Sequence, residues 1–200
     1  GLKFLVEIPV EPGEKELSSQ IMKFKNAGVK CILMQVAPTP GIAIVKAAAQ
    51  IDYKPQFISA DTLGDATGMW KLTNGLWAGT ITGGKTLAPN ENHPLLVKYR
   101  EAAKRLMPDQ PFNAWFLSGI MFSEPLFDAL KRVGPNLSKD ALLRELNSTK
   151  NFRGAGPTIT WSPDDHQGVY ETRIYRCGPQ GEYEIIEDFG SPYVTNELRG

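Results

Sequence analysis

Apolar positions along the first eighty residues switch back and forth between two periods. Lys3 to Val10 is rich in β-formers and closes on Glu11-Pro12-Gly13, so it predicts a strand followed by a turn. Leu17, Ile21 and Phe24 then recur at helical spacing, which puts them on one face of a helix that stops at Gly28. Cys31 to Val36 is apolar almost without interruption, the pattern of a strand covered on both faces. A second helix opens at Pro38 to Gly41, runs through Ile42, Val45 and Ala49, and ends before Pro55. Phe57 to Ala60 predicts a third strand that enters Asp61-Thr62; a weaker helix follows, and Leu76 to Thr82 predicts a fourth strand. Strands alternating with helices of this length predict βαβ units on a parallel sheet, an α/β fold.

The middle of the chain changes character. Pro89 and Pro94 interrupt it, and Leu95, Tyr99, Ala102 and Leu106 then mark an amphipathic helix ending near Met107-Pro108. Asn113 to Val133 predicts a long apolar helix, kinked or broken at Pro125. Ser138 caps another, with Leu142, Leu143 and Leu146 turned inward. Three helices in succession with no strand between them do not continue the first pattern, so the switch near residues 83–92 is the best internal boundary. The last part returns to strands: Thr158 to Trp161, Tyr170 to Cys177 and Glu182 to Glu187, separated by Gly and Pro turns.

Composition narrows the function classes. The 22 basic residues match the 22 acidic ones, so the chain as a whole lacks the positive field that nucleic acid requires. No apolar run approaches the ~20 residues needed to span a bilayer, and no leader is visible at the start. Cys31 and Cys177 sit in strand-like stretches and read as buried thiols; one bridge between them is conceivable on numbers alone.

Several motifs match chemical patterns but also have plainer roles. Gly79 to Thr86 fits the formal pattern of a phosphate-binding loop, but Lys85-Thr86 leads into Leu-Ala-Pro-Asn rather than into the helix that such a loop needs, so it reads as a crossover. The histidines and cysteines show no paired metal-ligand spacing. Asp164-Asp165-His166 has ligand-type side chains, yet after Trp161-Ser162-Pro163 it reads more naturally as a solvated turn. There is no nucleophile elbow and no cysteine near a plausible base, so neither an enzyme nor a cofactor is expected. What remains is the carboxyl ends of the parallel strands, where loops converge and ligands bind. Those positions are Gln35, Val36, Ala37 and Pro38 after the second strand, and Ser59, Ala60 and Asp61 after the third. Asp61 there can pair with a ligand ammonium, bond a hydroxyl, or cap a helix. Trp115 and Phe116 can wall an apolar pocket or fill a helix core.

Taken in order, the segments resemble the type I periplasmic solute-binding proteins, specifically the branched-chain amino acid binding family of ABC importers. The resemblance rests on Glu11-Pro12-Gly13-Glu14 with Leu17-Ser18-Ser19-Gln20 and Lys23 to Gly28, then Cys31 to Val36, Ile42 to Ile51 and Tyr53 to Phe57. It continues through Phe112-Asn113-Ala114, Ala129 to Gly134, Leu142 to Leu146, Asn151 to Pro157 and Ile159 to Gly168. The resemblance implies a two-lobed clamshell of which this chain is the carboxyl-terminal portion. Residues 1–82 would be most of lobe two, 83–166 the carboxyl-terminal part of lobe one, and 167–200 the return crossover and closing strands. It further implies a periplasmic, non-enzymatic protein that captures an amino acid, amide or aromatic acid and delivers it to a membrane permease. Asp61 matches the acidic position that receives a ligand ammonium. Ala37 stands where an aromatic is frequent and makes room, and Trp115 falls near an aromatic wall. Gln35 and Val36 would form the rim. Two rivals remain: the sensor domain of a receptor or regulator, and a fragment that binds nothing and self-associates through unpaired apolar helix faces.

Overall fold

A computed structural model describes residues 3–189. The chain divides into two compact units at Gly84/Lys85, Arg173/Ile174 and Ile186/Glu187. In the first unit, α1 (Ser18–Asn26), β1 (Cys31–Met34), α2 (Pro38–Gln50), β2 (Gln56–Ser59), a 3-10 turn (Asp61–Leu63), α3 (Ala66–Leu72) and β3 (Ile81–Gly84) follow one another. The second unit contributes α4 (Pro94–Leu106), α5 (Ala114–Val133) and α6 (Lys139–Asn147). The chain then forms β4 (Arg173–Cys177) and β5 (Tyr183–Glu187), which complete a five-stranded sheet in the order β1-β2-β3-β4-β5.

The βαβ reading is correct where it matters. β1 runs parallel to β2, with Cys31 opposite Gln56 and Met34 opposite Ser59, and β2 runs parallel to β3 through Ile58–Ile81 and Ser59–Thr82. Helix α2 begins with Pro38, whose fixed φ suits a first helical position and whose missing N–H is no loss there. Ile21 of α1, Val45 and Ala48 of α2, and Met69 of α3 close over Ile32 and Met34, with Trp77 wholly buried beside them. Each such large side chain removed from water contributes about 1.5–3 kcal/mol before entropy is charged against it.

Several expectations need correction. β1 is not covered on both faces: burial alternates, and Leu33 is 58% exposed opposite the face that carries Ile32 and Met34. Cys31 shares that open face, so it is an exposed thiol, whereas Cys177 is buried; both are free. Residues 3–10 pair with no strand among the described residues. Val6 and Val10 lean on the core, while Phe4 and Leu5 stay exposed. The fourth strand starts at Ile81 rather than Leu76, because Asn74, Gly75 and Gly79 adopt positive φ and coil the intervening chain into turns around Trp77. Thr158 to Trp161 yields only an isolated antiparallel bridge, Phe152–Ile159.

In the second unit Asn113 caps α5 by accepting the Phe116 N–H at 2.9 Å, and Ser138 caps α6 by accepting that of Ala141 at 3.1 Å. Helix α5 continues unbroken through Pro125 to Val133 and ends at Gly134, whose positive φ of 68° suits glycine. Of the three leucines expected inward on α6, Leu143 is exposed, and no α6 residue is fully buried.

Candidate functional site

The first unit gathers the strand-end residues by backbone and hydroxyl hydrogen bonds. The Ala60 N–H donates to the Met34 carbonyl at 3.1 Å, which ties the end of β2 to the end of β1. The Thr62 hydroxyl donates to the Val36 carbonyl at 3.1 Å, and that of Thr82 to the Ala60 carbonyl at 3.2 Å. Gln35, Val36 and Ala37 thus form one lip and Asp61, half-buried in the first turn of the 3-10 segment, the other. The position ahead of that turn is Ala60, so the Asp61 side chain is not its N-cap. Ser59, just inside, has a buried hydroxyl with no hydrogen-bond partner.

The start of α2 limits what this lip can hold. Pro38 and Pro40 have no N–H, and the Gly41 N–H bonds the Ala37 carbonyl at 3.1 Å. Only Thr39 then offers a backbone donor from the first turn, so this helix end is a poor anion cradle compared with an ordinary N-terminus. A carboxylate would have to be held elsewhere, whereas the Asp61 carboxylate suits a cation or a hydroxyl.

Trp115 and Phe116 belong to the second unit, at the amino-terminal end of α5. They line an open groove of about 560 Å³ together with Tyr99, Gly119, Ile120 and Phe127. Trp115 is 40% exposed, which sets aside the helix-core reading of that residue. The sequence reading missed Tyr99 and Glu124. The Tyr99 hydroxyl donates to Glu124 Oε1 at 2.5 Å, and the Ala155 N–H donates to Oε2 at 2.6 Å. Burial raises the Tyr99 phenol well above its usual value, and the Glu124 hydrogen bond and charge add to that. Gly154 lies against this carboxylate: a Cβ there would displace Glu124 Oε2. No spacing rule links residues so far apart, so this contact lay beyond sequence reasoning.

A second polar cluster joins three chain passages of this unit. Arg173, almost wholly buried, donates through Nη1 to Glu91 and through Nε to Asp188 at 2.5 Å, with its guanidinium 4.8 Å from the Phe189 ring. The Ala88 N–H also donates to Glu91, at 2.5 Å. The Arg173 hydrogen bond, helped by the Phe189 N–H and then by the Arg173 charge, holds the Asp188 carboxyl below the usual range against some desolvation.

The remaining motifs form local structure. Gly79 to Thr86 contains β3, an extended strand rather than a phosphate cradle, and Gly84 is needed because a Cβ there would meet the Tyr175 ring at 2.0 Å. Asp165 accepts the Tyr170 hydroxyl at 2.8 Å and the Gln167 N–H at 3.0 Å, a self-satisfied turn. Among the described residues no cluster of His, Cys, Asp or Glu could hold a metal ion, and no helix is long and apolar enough to cross a membrane.

An open α/β sheet with its candidate site at the strand carboxyl ends defines the class: a type I periplasmic-binding-protein fold. The model of the family described as "Periplasmic binding protein" matches residues 1–182, and the chain belongs to that family. The chain is similar in structure to a branched-chain amino acid ABC transporter protein from Thermus thermophilus with bound valine, at TM-score 0.77 and 15% identity over 90% of this chain and 50% of that one. A fatty acid ABC transporter substrate-binding protein from Thermomonospora curvata gives TM-score 0.79 and 18% identity, with coverage of 91% and 48%. A leucine-binding protein from Thermotoga maritima gives TM-score 0.69 and 18% identity, with coverage of 88% and 49%. The chain therefore spans about half the length of the solved structures it matches. No curated protein matches it.

Proposed function

We propose that the chain is part of the substrate-binding component of an ABC importer, working in the periplasm and passing a small solute to a membrane permease. The observation that carries this reading is the strand-end lip of Gln35, Val36, Ala37 and Asp61 on a fold whose family is one of solute-binding proteins. In this reading the first unit is most of one lobe and the second unit part of the other. A solute that touches both would favour the closed form by the difference in its affinity for the two forms. Asp61 receives an ammonium or hydroxyl, Trp115 and Phe116 give an apolar wall, and Ala37 leaves room for a large side group. Because Pro38 and Pro40 leave few N–H donors at the start of α2, a solute carboxylate in this reading is bound by groups other than these. An amino acid, amide or aromatic acid satisfies those terms, and the similar proteins named for branched-chain amino acids and fatty acids define the range to be screened.

The test is a thermal-shift screen of the protein at its natural length against branched-chain and aromatic amino acids, amides, aromatic acids and fatty acids. The expected result is one chemical class that raises the melting temperature in proportion to the logarithm of its concentration, as binding to the folded state alone requires. A protein that no class stabilises would refute the reading.

A further inference from the structure

Asp65 has a carboxyl side chain only 1% exposed, and among the described residues no Lys or Arg forms an ion pair with it. It stands at the N-cap position of α3, where an aspartate ordinarily bonds the N–H groups of the first turn, yet its side chain makes no such bond. Its partner lies 118 residues along the chain: the Tyr183 hydroxyl of β5 donates to Asp65 Oδ1 at 2.9 Å. Burial, followed by the charge and hydrogen bond of Asp65, raises the Tyr183 phenol far above its usual value, so it remains a donor at any ordinary pH. The Tyr183 ring is held in turn by an edge contact with Tyr175, at 5.3 Å between centroids. Two more bonds run the same way. The Thr67 hydroxyl donates to the Gly181 carbonyl at 2.7 Å, and the Trp70 indole N–H to that of Pro179 at 3.1 Å. All of these residues belong to the first unit.

Burying a carboxyl group against a neutral partner is costly, so stability alone does not explain the arrangement. Its effect is to hold the far end of the turn that carries Asp61. The near end of that turn is tied to the end of β1 by the Ala60 N–H and the Thr62 hydroxyl. Between the two ends the Leu63 N–H bonds the Ala60 carbonyl at 3.1 Å and the Gly64 N–H bonds that of Asp61 at 2.9 Å, while the Leu63 side chain is wholly buried. Asp61 and Asp65 are thus the two ends of one short, hydrogen-bonded turn. We infer that the β4–β5 hairpin braces this turn through Tyr183 and Asp65, which are positioning residues for the Asp61 carboxylate. A recognition group fixed before the solute arrives loses less freedom on binding, and the complex is tighter for it. The inference rests on the proposed role of Asp61 and adds the two residues that act behind it.

Native-state hydrogen exchange reads the brace, and solute binding reads its consequence, both on the protein at its natural length. Tyr183→Phe removes the hydroxyl and keeps the ring. The expected result is exchange about tenfold faster or more at the Leu63 and Gly64 amides, with the Ile21 and Gln56 amides, bonded in α1 and beside β1, unchanged. Asp65→Asn keeps an oxygen acceptor for the phenol and should stay within about threefold of wild type at all four. Equal acceleration at all four amides would overturn the inference in favour of a general stabilising bond, and no acceleration at Leu63 and Gly64 would overturn it outright. The solute recovered from purified wild-type protein is the binding probe. Tyr183→Phe and Asp61→Asn should each weaken its binding about tenfold or more, and the double variant should be no weaker than Asp61→Asn, since a bond already lost cannot be lost again by misplacement. Losses that multiply in the double variant, or full binding to Tyr183→Phe of a solute that needs Asp61, would overturn the inference and leave the site reading intact. A solute that binds Asp61→Asn as well as wild type, or none recovered, would overturn the site reading and the inference with it.

Discussion

Arg173 is the side chain whose loss the second unit should feel most. In Arg173→Met the methylene packing is largely kept while the guanidinium goes. Arg173 and Glu91 are 6% and 24% exposed at their side chains, so this is close to a buried pair, and stranding one member of such a pair costs about 3–5 kcal/mol. Glu91 keeps the Ala88 N–H and some water, which brings the expected share down to about 2 kcal/mol. Asp188 is 61% exposed and adds between nothing and about 1 kcal/mol, and the lost contact with the Phe189 ring adds about 0.5–1 kcal/mol. The total is about 3 kcal/mol, read from urea unfolding followed by tryptophan fluorescence and circular dichroism. Adding Glu91→Gln to Arg173→Met should recover about 1 kcal/mol, since a neutral amide is far cheaper to strand than a carboxylate. The pH dependence has a definite sign. The folded-state Asp188 carboxyl lies below its unfolded value, so its contribution is complete above the ordinary carboxylate pKa of about 3.9 and disappears as pH falls through the lowered folded value. Arg173→Met should flatten that part of the stability profile. A loss under about 0.5 kcal/mol, or a double variant no better than the sum of the singles, would refute the reasoning.

Three further predictions concern other parts of the chain. Gly84→Ala should destabilise the sheet by about 1–3 kcal/mol, because the new Cβ collides with the Tyr175 ring and neither strand can retreat; equilibrium unfolding reads it, and an unchanged midpoint would contradict the packing. In the native protein a thiol reagent should label Cys31 promptly and Cys177 only on unfolding, since Cys177 is buried and its thiol is pushed up to about 12; equal labelling rates, measured by intact mass, would overturn this. Ala37→Phe should narrow the accepted solutes toward smaller side groups without changing the melting temperature of the free protein by more than a degree or two; a solute panel checks it, and an unaltered preference would remove Ala37 from the site.

The legible part of the fold was the part in which local period and local turn chemistry act together. Leu17, Ile21 and Phe24 specify α1, and the apolar run from Cys31 specifies β1, with no need of distant partners. Whether β1 is covered on one face or two is decided by what packs over Leu33, and a run of four apolar residues is silent on that. Leu76 to Ala78 has strand-like composition, but Asn74, Gly75 and Gly79 place it in turns, with Trp77 burying itself there. Residues 3–10 have the composition of a strand and no partner to pair with among the described residues. At the candidate site, strand-end positions follow from topology, so Gln35 to Ala37 and Asp61 were within reach of the sequence. The Tyr99–Glu124–Ala155 contact and the Arg173 cluster join residues distant in the chain through tertiary structure, and no periodicity encodes them.

Whether Asp61 takes part in holding a solute can be tested on what the protein carries. Protein of natural length is purified from its own cells without dialysis and denatured, and the released small molecules are identified and counted by mass spectrometry. The expected result is close to one equivalent of a single solute bearing an ammonium or hydroxyl group, lost by at least tenfold from Asp61→Asn while that variant keeps its fold. An equal yield of the same solute from wild type and variant, or no solute from either, would contradict it.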